Sequence, residues 1–179
     1  MSDVFNTLGN HSIVSLGSYK PWNVHRAEGG DRSSYPAHSG YVLDIKDNAA
    51  IGVKHFAKIL GPELKDNIAM AVVPSHDPKK TDGGLHALVR KLTESGNRLD
   101  ASGSLVRVTK IDKLAHGGDR SIEVHQGSIR VAHPELIKGR HVVLIDDVQK
   151  TGNSLKACRA LLLEAGALSV QCLALASTW

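Results

Sequence analysis

Three stretches of this chain, Ile68-Ala69-Met70-Ala71-Val72-Val73, His141-Val142-Val143-Leu144-Ile145 and Val170 to Ala176, are apolar almost without interruption. A run that lacks polar alternation has to be covered on both faces, which is the condition of an interior strand in a parallel sheet. Between these runs lie segments with helical periodicity: residues 48–60 (NAAIGVKHFAKIL), closed by Gly61-Pro62, residues 83–95 (GGLHALVRKLTES), with Gly96 placed to end the helix, and residues 153–165. Parallel strands need long crossovers, and helices of this length supply them. The expected fold is therefore a single α/β domain, mainly a parallel sheet with helices on both faces. Tyr41-Val42-Leu43-Asp44-Ile45 reads as a further strand, and Leu105-Val106-Arg107-Val108 alternates like a half-buried one. A polar, Gly-rich stretch from Thr109 to about Gly127 separates that strand from the next apolar run.

The first forty residues have a different texture. Five of the seven aromatics (Phe5, Tyr19, Trp22, Tyr35, Tyr41) lie within residues 1–41, among Gly29-Gly30 and Pro36. We expect residues 1–40 to form an irregular or short-stranded appendage on a core of residues 41–179. Its aromatics either glue it to that core or line a site for a flat ligand.

Composition narrows the function classes. A length of 179 residues suits one domain, and 41% hydrophobic with 22% charged residues excludes a disordered tail. The two cysteines, Cys158 and Cys172, form no C-x-x-C, which excludes a zinc ribbon and favours a reducing compartment. No apolar run approaches the ~20 residues that cross a bilayer. The opening MSDVFNTLGN has neither the basic nor the apolar region of a signal peptide, so a cytoplasmic protein without membrane contact is expected. The net charge of +4 is spread along the chain and aromatics make up only 4%, which suits a small anionic ligand better than nucleic acid. None of the ten histidines falls in an HExxH pattern.

The chemistry concentrates in residues 141–167. An apolar strand delivers Asp146 and Asp147 to its carboxyl end, where open α/β sheets bind their ligands. A short loop, Val148-Gln149-Lys150-Thr151-Gly152-Asn153-Ser154, then leads straight into a helix. Such a loop offers unpaired N–H groups and the positive end of a helix dipole to a phosphate. Gly152 permits close approach, Thr151 and Ser154 add hydroxyls, and Lys150 adds a cation. Two carboxylates cannot bind that phosphate, so they serve sugar hydroxyls, a divalent cation, or both. A phosphorylated ribose satisfies the whole set. Neither GxxxxGK[ST] nor GxGxxG is present.

VVLIDDVQKTGNS resembles the phosphoribosyl-pyrophosphate (PRPP) motif of type I phosphoribosyltransferases: four apolar residues, two acidic ones, and a Thr-Thr-Gly-x-Ser/Thr loop. The resemblance implies that Asp146 and Asp147 take the ribose hydroxyls and that Gln149, Lys150, Thr151, Gly152, Asn153 and Ser154 take the 5′-phosphate. The chain departs from the motif at Lys150, where a Thr is usual. IAMAVVPSHDPKK (68–80) resembles the pyrophosphate-binding strand and loop, above all its form in ComF-like members, which implies pyrophosphate contacts from Ser75, His76, Lys79 and Lys80. The stretch 109–127 stands where the family has a mobile loop, which implies that Lys110, Lys113 and Arg120 close over the pyrophosphate, with Gly117-Gly118 as the flexible point.

The same resemblance, which covers about residues 41–177, implies transfer of the 5-phosphoribosyl group from PRPP to a small-molecule acceptor, a nitrogenous base in most members, with loss of pyrophosphate. Mg2+ would be held mainly through PRPP, with Asp146 and Asp147 as further ligands. A homodimer is common in the family. The alternatives are a non-catalytic PRPP- or nucleotide-binding regulator and a nucleic-acid-linked role of the ComF kind. No protein nucleophile is needed, and Cys158, in helical register with Leu155 and Leu162, reads as a packing residue. If residues 1–40 form a hood over the acceptor, Tyr19, Trp22, Tyr35 or Tyr41 would stack on it.

Overall fold

The computed structural model describes residues 12–94, 96–111 and 121–178. Ile68–Val72 (β2) and His141–Gln149 (β6) lie side by side and parallel, in register from Ile68 against His141 to Val72 against Ile145. Ser169–Ser177 (β7) runs parallel along the other side of β6. Two short edge strands complete a five-stranded parallel sheet: Ile13–Ser15 (β1) beside β7 and Leu99–Asp100 (β3) beside β2. The order is β1-β7-β6-β2-β3.

Side chains alternate across the central strands and so feed two cores. On one face Ile68, Met70, Val72, Val143 and Ile145 pack with three helices, Ala37–Lys46 (α2), Ala50–Leu60 (α3) and Gly84–Glu94 (α4). On the other face Ala69, Ala71, Val142 and Leu144 meet Leu155, Cys158 and Leu162 of Asn153–Glu164 (α6). Leu105–Arg107 (β4) and Ile129–Val131 (β5) form a separate antiparallel ribbon, which joins this second core through Leu105 and Ile129. Trp22–Ala27 (α1) and Ile122–Ser128 (α5) are short helices, and Pro134–Leu136 forms a single 3-10 turn. The expected parallel sheet with helices on both faces is present. Among the described residues no helix is long and apolar enough to cross a membrane.

Two expectations need correction. Residues 41–45 are not a strand but the second half of α2, with Ser39, Val42 and Ile45 buried at helical spacing. A five-residue apolar run does not distinguish strand from helix by periodicity, and the polar Ala-His-Ser-Gly turn before it conceals the helix. The half-buried strand at 105–108 exists as β4, but it lies in the ribbon rather than the main sheet. Residues 40 and 41, the expected boundary between appendage and core, both lie in α2, and β1, within residues 1–40, adds a strand to the sheet.

The connections after the two central strands diverge. β2 leads to α4 on one face, and β6 leads to α6 on the other. A crevice opens between adjacent strands whose connections part in this way. Pro74 sharpens the opening. The Val73 N–H still donates to Ile145 O at 2.9 Å, but Pro74 has no N–H to continue the ladder. Beyond Ile145, β6 is paired with β7 alone among the described residues, through Asp146 against Ala174, Val148 against Ala176 and Gln149 against Ser177.

Candidate active site

The crevice is a cavity of about 610 Å³ at the carboxyl ends of the strands. Its floor is the Asp146-Asp147 pair. Successive strand residues face opposite ways, so the two carboxylates meet different neighbours. Asp146 turns to the α6 side, where Ser154 Oγ donates to its Oδ2 at 2.8 Å and the Asp147 N–H donates to Oδ1 at 2.9 Å. It is buried, and burial together with the Asp147 charge pushes its pKa up to about 7, against the pull of the Ser154 hydroxyl, the Asp147 N–H and Lys46. Asp147 turns to the α2 side and stays half-buried. Lys46 Nζ donates to its Oδ2 at 2.6 Å, and the Val148 N–H donates to Oδ1, also at 2.6 Å.

The loop from Gln149 to Ser154 forms one wall of the cavity. Gly152 adopts a left-handed φ of 72° as the residue that starts α6, and a Cβ there would lie 2.4 Å from Ile13 Cδ1. Only glycine suits both the conformation and the space. Lys156 Nζ donates to Thr151 O at 3.3 Å and ties the loop to the first turn of α6. All six residues expected at the phosphate lie on this wall, although the Ser154 hydroxyl is already engaged by Asp146.

The opposite wall is the segment after β2. Ser75, His76 and Lys80 line the cavity, whereas Lys79 is not part of that lining. The Asp77 carboxylate accepts the Lys79 N–H at 2.9 Å, and the Asp77 carbonyl accepts the Lys80 N–H, which folds the segment into a turn. Arg107 of β4 supports it from beneath: Nε donates to Ser75 O at 2.7 Å, Nη2 to Pro74 O at 3.4 Å and Nη1 to Ser128 Oγ at 2.5 Å. At the start of α4, Asp82 accepts from the Gly83 N–H and from Arg90, and the Arg90 contact holds its pKa below the usual carboxylate range. A Cβ on Gly84 would lie 2.0 Å from Ile45 O, so this helix can begin against α2 only with glycine.

Several lining residues carried no sequence signal, among them Lys46, Asp82, His86, His125 and Thr178. They come from four separate parts of the chain, and only the fold gathers them. Lys110 is exposed and does not line the cavity, while its neighbour Ile111 donates a backbone N–H to His76 O at 3.2 Å. Lys113, Arg120 and the Gly117-Gly118 pair lie outside the described residues.

Of the four aromatics expected over an acceptor, Tyr19 alone reaches the cavity. Trp22 and Tyr35 pack edge to face at 5.1 Å, and Tyr41 stacks on His55 at 3.5 Å. These two contacts hold the N-terminal segment and α2 in place. Cys158 and Cys172 are buried free thiols whose pKa values burial pushes up, which leaves them as core residues rather than nucleophiles. Among the described residues no group of three or more His, Cys, Asp or Glu side chains is placed to hold a metal ion.

A family model described as phosphoribosyl transferase domain matches residues 86–178, more than half of the 179-residue chain. The match contains the β6–α6 corner, while residues 75–80 precede it. The adenine phosphoribosyltransferase of Treponema denticola is 35% identical over 66 residues, covering 35% of this chain and 35% of that protein, so the matched stretch spans about a third of that relative. Similar solved structures include a hypoxanthine phosphoribosyltransferase from Staphylococcus aureus, at 13% identity and a TM-score of 0.41 over 74% of this chain and 62% of that one. A purine phosphoribosyltransferase from Pyrococcus horikoshii matches at 22% identity and a TM-score of 0.39 over 70% of each chain.

Proposed function

This chain belongs to the phosphoribosyl transferase domain family, and on that premise we propose that it transfers the 5-phosphoribosyl group of PRPP to a nitrogenous small-molecule acceptor and releases pyrophosphate. One observation carries the reading: the Asp146-Asp147 pair, the wall of residues 149–154 and Ser75, His76 and Lys80 face a single cavity of about 610 Å³. That volume lies within the ~300–1,000 Å³ of ordinary ligand sites.

In this reading the amides at the start of α6 and the hydroxyl of Thr151 hold the 5′-phosphate, with Lys150 adding charge. Asp146 and Asp147 accept hydrogen bonds from the ribose hydroxyls. Ser75, His76 and Lys80 receive the pyrophosphate across the cavity, where donors held by the fold stabilise charge as it develops on the leaving group. Mg2+ fits the donor set, because it takes one or two carboxylates together with substrate phosphates and keeps part of its water. Asp146 and Asp147 are the side chains that would hold it, and its part is to neutralise leaving-group charge. Tyr19, Val148 and Thr178 line the remaining rim, where an acceptor reaches C1′. The buried, unpaired thiols suit the reducing cytoplasm in which we place the protein.

The test is calorimetric titration with PRPP, with and without Mg2+, followed by a pyrophosphate-release screen over candidate acceptors. Micromolar binding aided by Mg2+ is expected, and Asp147→Asn should weaken it by about tenfold or more, since a hydrogen bond to a charged group contributes about 1.5–3 kcal/mol. Equal affinity in the variant would remove the acidic pair from the account. Binding without turnover of any acceptor would identify a regulatory PRPP-binding protein instead.

A further inference from the structure

Lys46 belongs to no motif in this sequence, yet it is the side chain that occupies the outer face of the acidic pair. It is the last residue of α2, where the negative end of the helix dipole favours a cation. Its backbone is held firmly, because α4 begins against the carbonyl of the preceding residue at the Gly84 contact. The ammonium lies 2.6 Å from Asp147 Oδ2 and 5.6 Å from the Tyr19 ring centroid, within reach of a cation–π attraction. The Lys46 and Asp147 side chains remain 34% and 29% exposed, so a ligand can reach the pair.

Two adjacent carboxylates repel each other, and both repel a ligand that carries phosphate. Something positive must offset them before an anion can settle nearby. Among the described residues, Lys46 is the cation that bonds directly to the pair, and its charge acts on Asp146 as well as on Asp147.

We infer that Lys46 is a positioning residue that acts as a built-in counter-cation for the sugar-hydroxyl site: it neutralises and orients Asp147, so that this half of the site binds its ligand without a divalent cation. The inference rests on the proposed reading of the cavity as a phosphoribosyl site. It divides the work between two cations, with Lys46 serving the ribose side when no pyrophosphate is present and Mg2+ joining the acidic pair together with the pyrophosphate.

Ribose 5-phosphate separates the two, since it carries the hydroxyls and the 5′-phosphate but no pyrophosphate to chelate a metal. Titration of the full chain with this probe, in EDTA and then in excess Mg2+, should give affinities within about twofold of each other. In Lys46→Met the EDTA affinity should fall by about tenfold or more and recover largely in Mg2+, as the divalent ion takes over the neutralisation. Lys46→Gln, which retains a polar tip, should behave in the same way, and Lys46→Arg should preserve binding in EDTA. A lysine that only braces the fold would lower affinity equally in both solutions, and that result overturns the inference, as does an unchanged response to Mg2+ in the Met and Gln variants. Failure of the unsubstituted chain to bind ribose 5-phosphate in either solution overturns the parent reading along with it.

Discussion

The two corners that face each other across the cavity are built on opposite principles. The β6–α6 corner is assembled from its own segment. Asp146 is bonded by Ser154, Thr151 by Lys156, and the turn closes on Gly152, all within eleven residues of chain. The β2–α4 corner borrows its support. The Pro74 and Ser75 carbonyls are held by Arg107, more than thirty residues further on, and the His76 carbonyl accepts the N–H of Ile111. A corner held by local bonds keeps its shape when the surroundings move. One held by a distant strand moves with that strand. The difference suits their proposed ligands: the 5′-phosphate remains on the sugar throughout, while the pyrophosphate must leave.

Gly152→Ala strikes the self-contained corner and should have the largest effect. A Cβ forced into a left-handed conformation costs about 1–2 kcal/mol, and the 2.4 Å approach to Ile13 Cδ1 adds overpacking of about 1–3 kcal/mol. Denaturant unfolding should show a loss of about 2–5 kcal/mol, with binding of PRPP and of ribose 5-phosphate both lost. Ile13→Ala in the same chain should restore part of the stability, because it removes the steric half of the penalty. A full-affinity Gly152→Ala protein would show that the corner is not the rigid phosphate seat described here.

Arg107→Met strikes the borrowed corner. It leaves two carbonyls and the Ser128 hydroxyl without this donor, a cost of about 2–3 kcal/mol for buried groups. The informative result is selectivity between ligands. PRPP affinity should fall by about tenfold or more, while ribose 5-phosphate, which lacks the pyrophosphate, should bind nearly as before. Equal losses for both ligands would erase the distinction between the corners.

The same contrast explains what could be read from the chain alone. The β6–α6 corner is contiguous, so strand, carboxylates, glycine and hydroxyls appear in order, and the helix and sheet around it follow from apolar period and length. The β2–α4 corner was legible only as far as Ser75, His76 and Lys80. Its support, Arg107, looked like the polar position of an alternating strand, and that strand proved to belong to a separate ribbon. Lys46 carried no local signal, and Tyr19 stood out only as one of four aromatics, because nothing in residues 19–46 shows that this stretch returns to β6. The helix α2 was hidden for a related reason: its apolar run is short enough to pass for a strand. β1 and β3 hold three and two residues, too few for a period of two to show.

Within the self-contained corner, the two aspartates allow a finer comparison, and it predicts the smallest effect, of opposite sign. Asp146 is buried with its pKa raised to about 7, whereas the unfolded chain releases that proton near the ordinary carboxylate value. Between those two values the folded protein binds more protons than the unfolded chain, so stability falls as pH rises through the window and stays reduced above it. Asp146→Asn removes the ionisation. It should stabilise the protein at pH 8 by about 1–3 kcal/mol, visible as a higher Tm, and should have little effect near pH 4. Asp147→Asn has no such burial to relieve and gives up the half-exposed pair with Lys46, so its Tm should change little at either pH. Both variants should bind ribose 5-phosphate more weakly. A protein that gains stability by losing one of its acidic pair keeps that carboxylate for its ligand, and thermal melts of the two variants at the two pH values would separate that role from a structural one. Destabilisation of Asp146→Asn at pH 8 would mean that the ionised carboxylate, bonded by Ser154, is instead part of what holds the corner together.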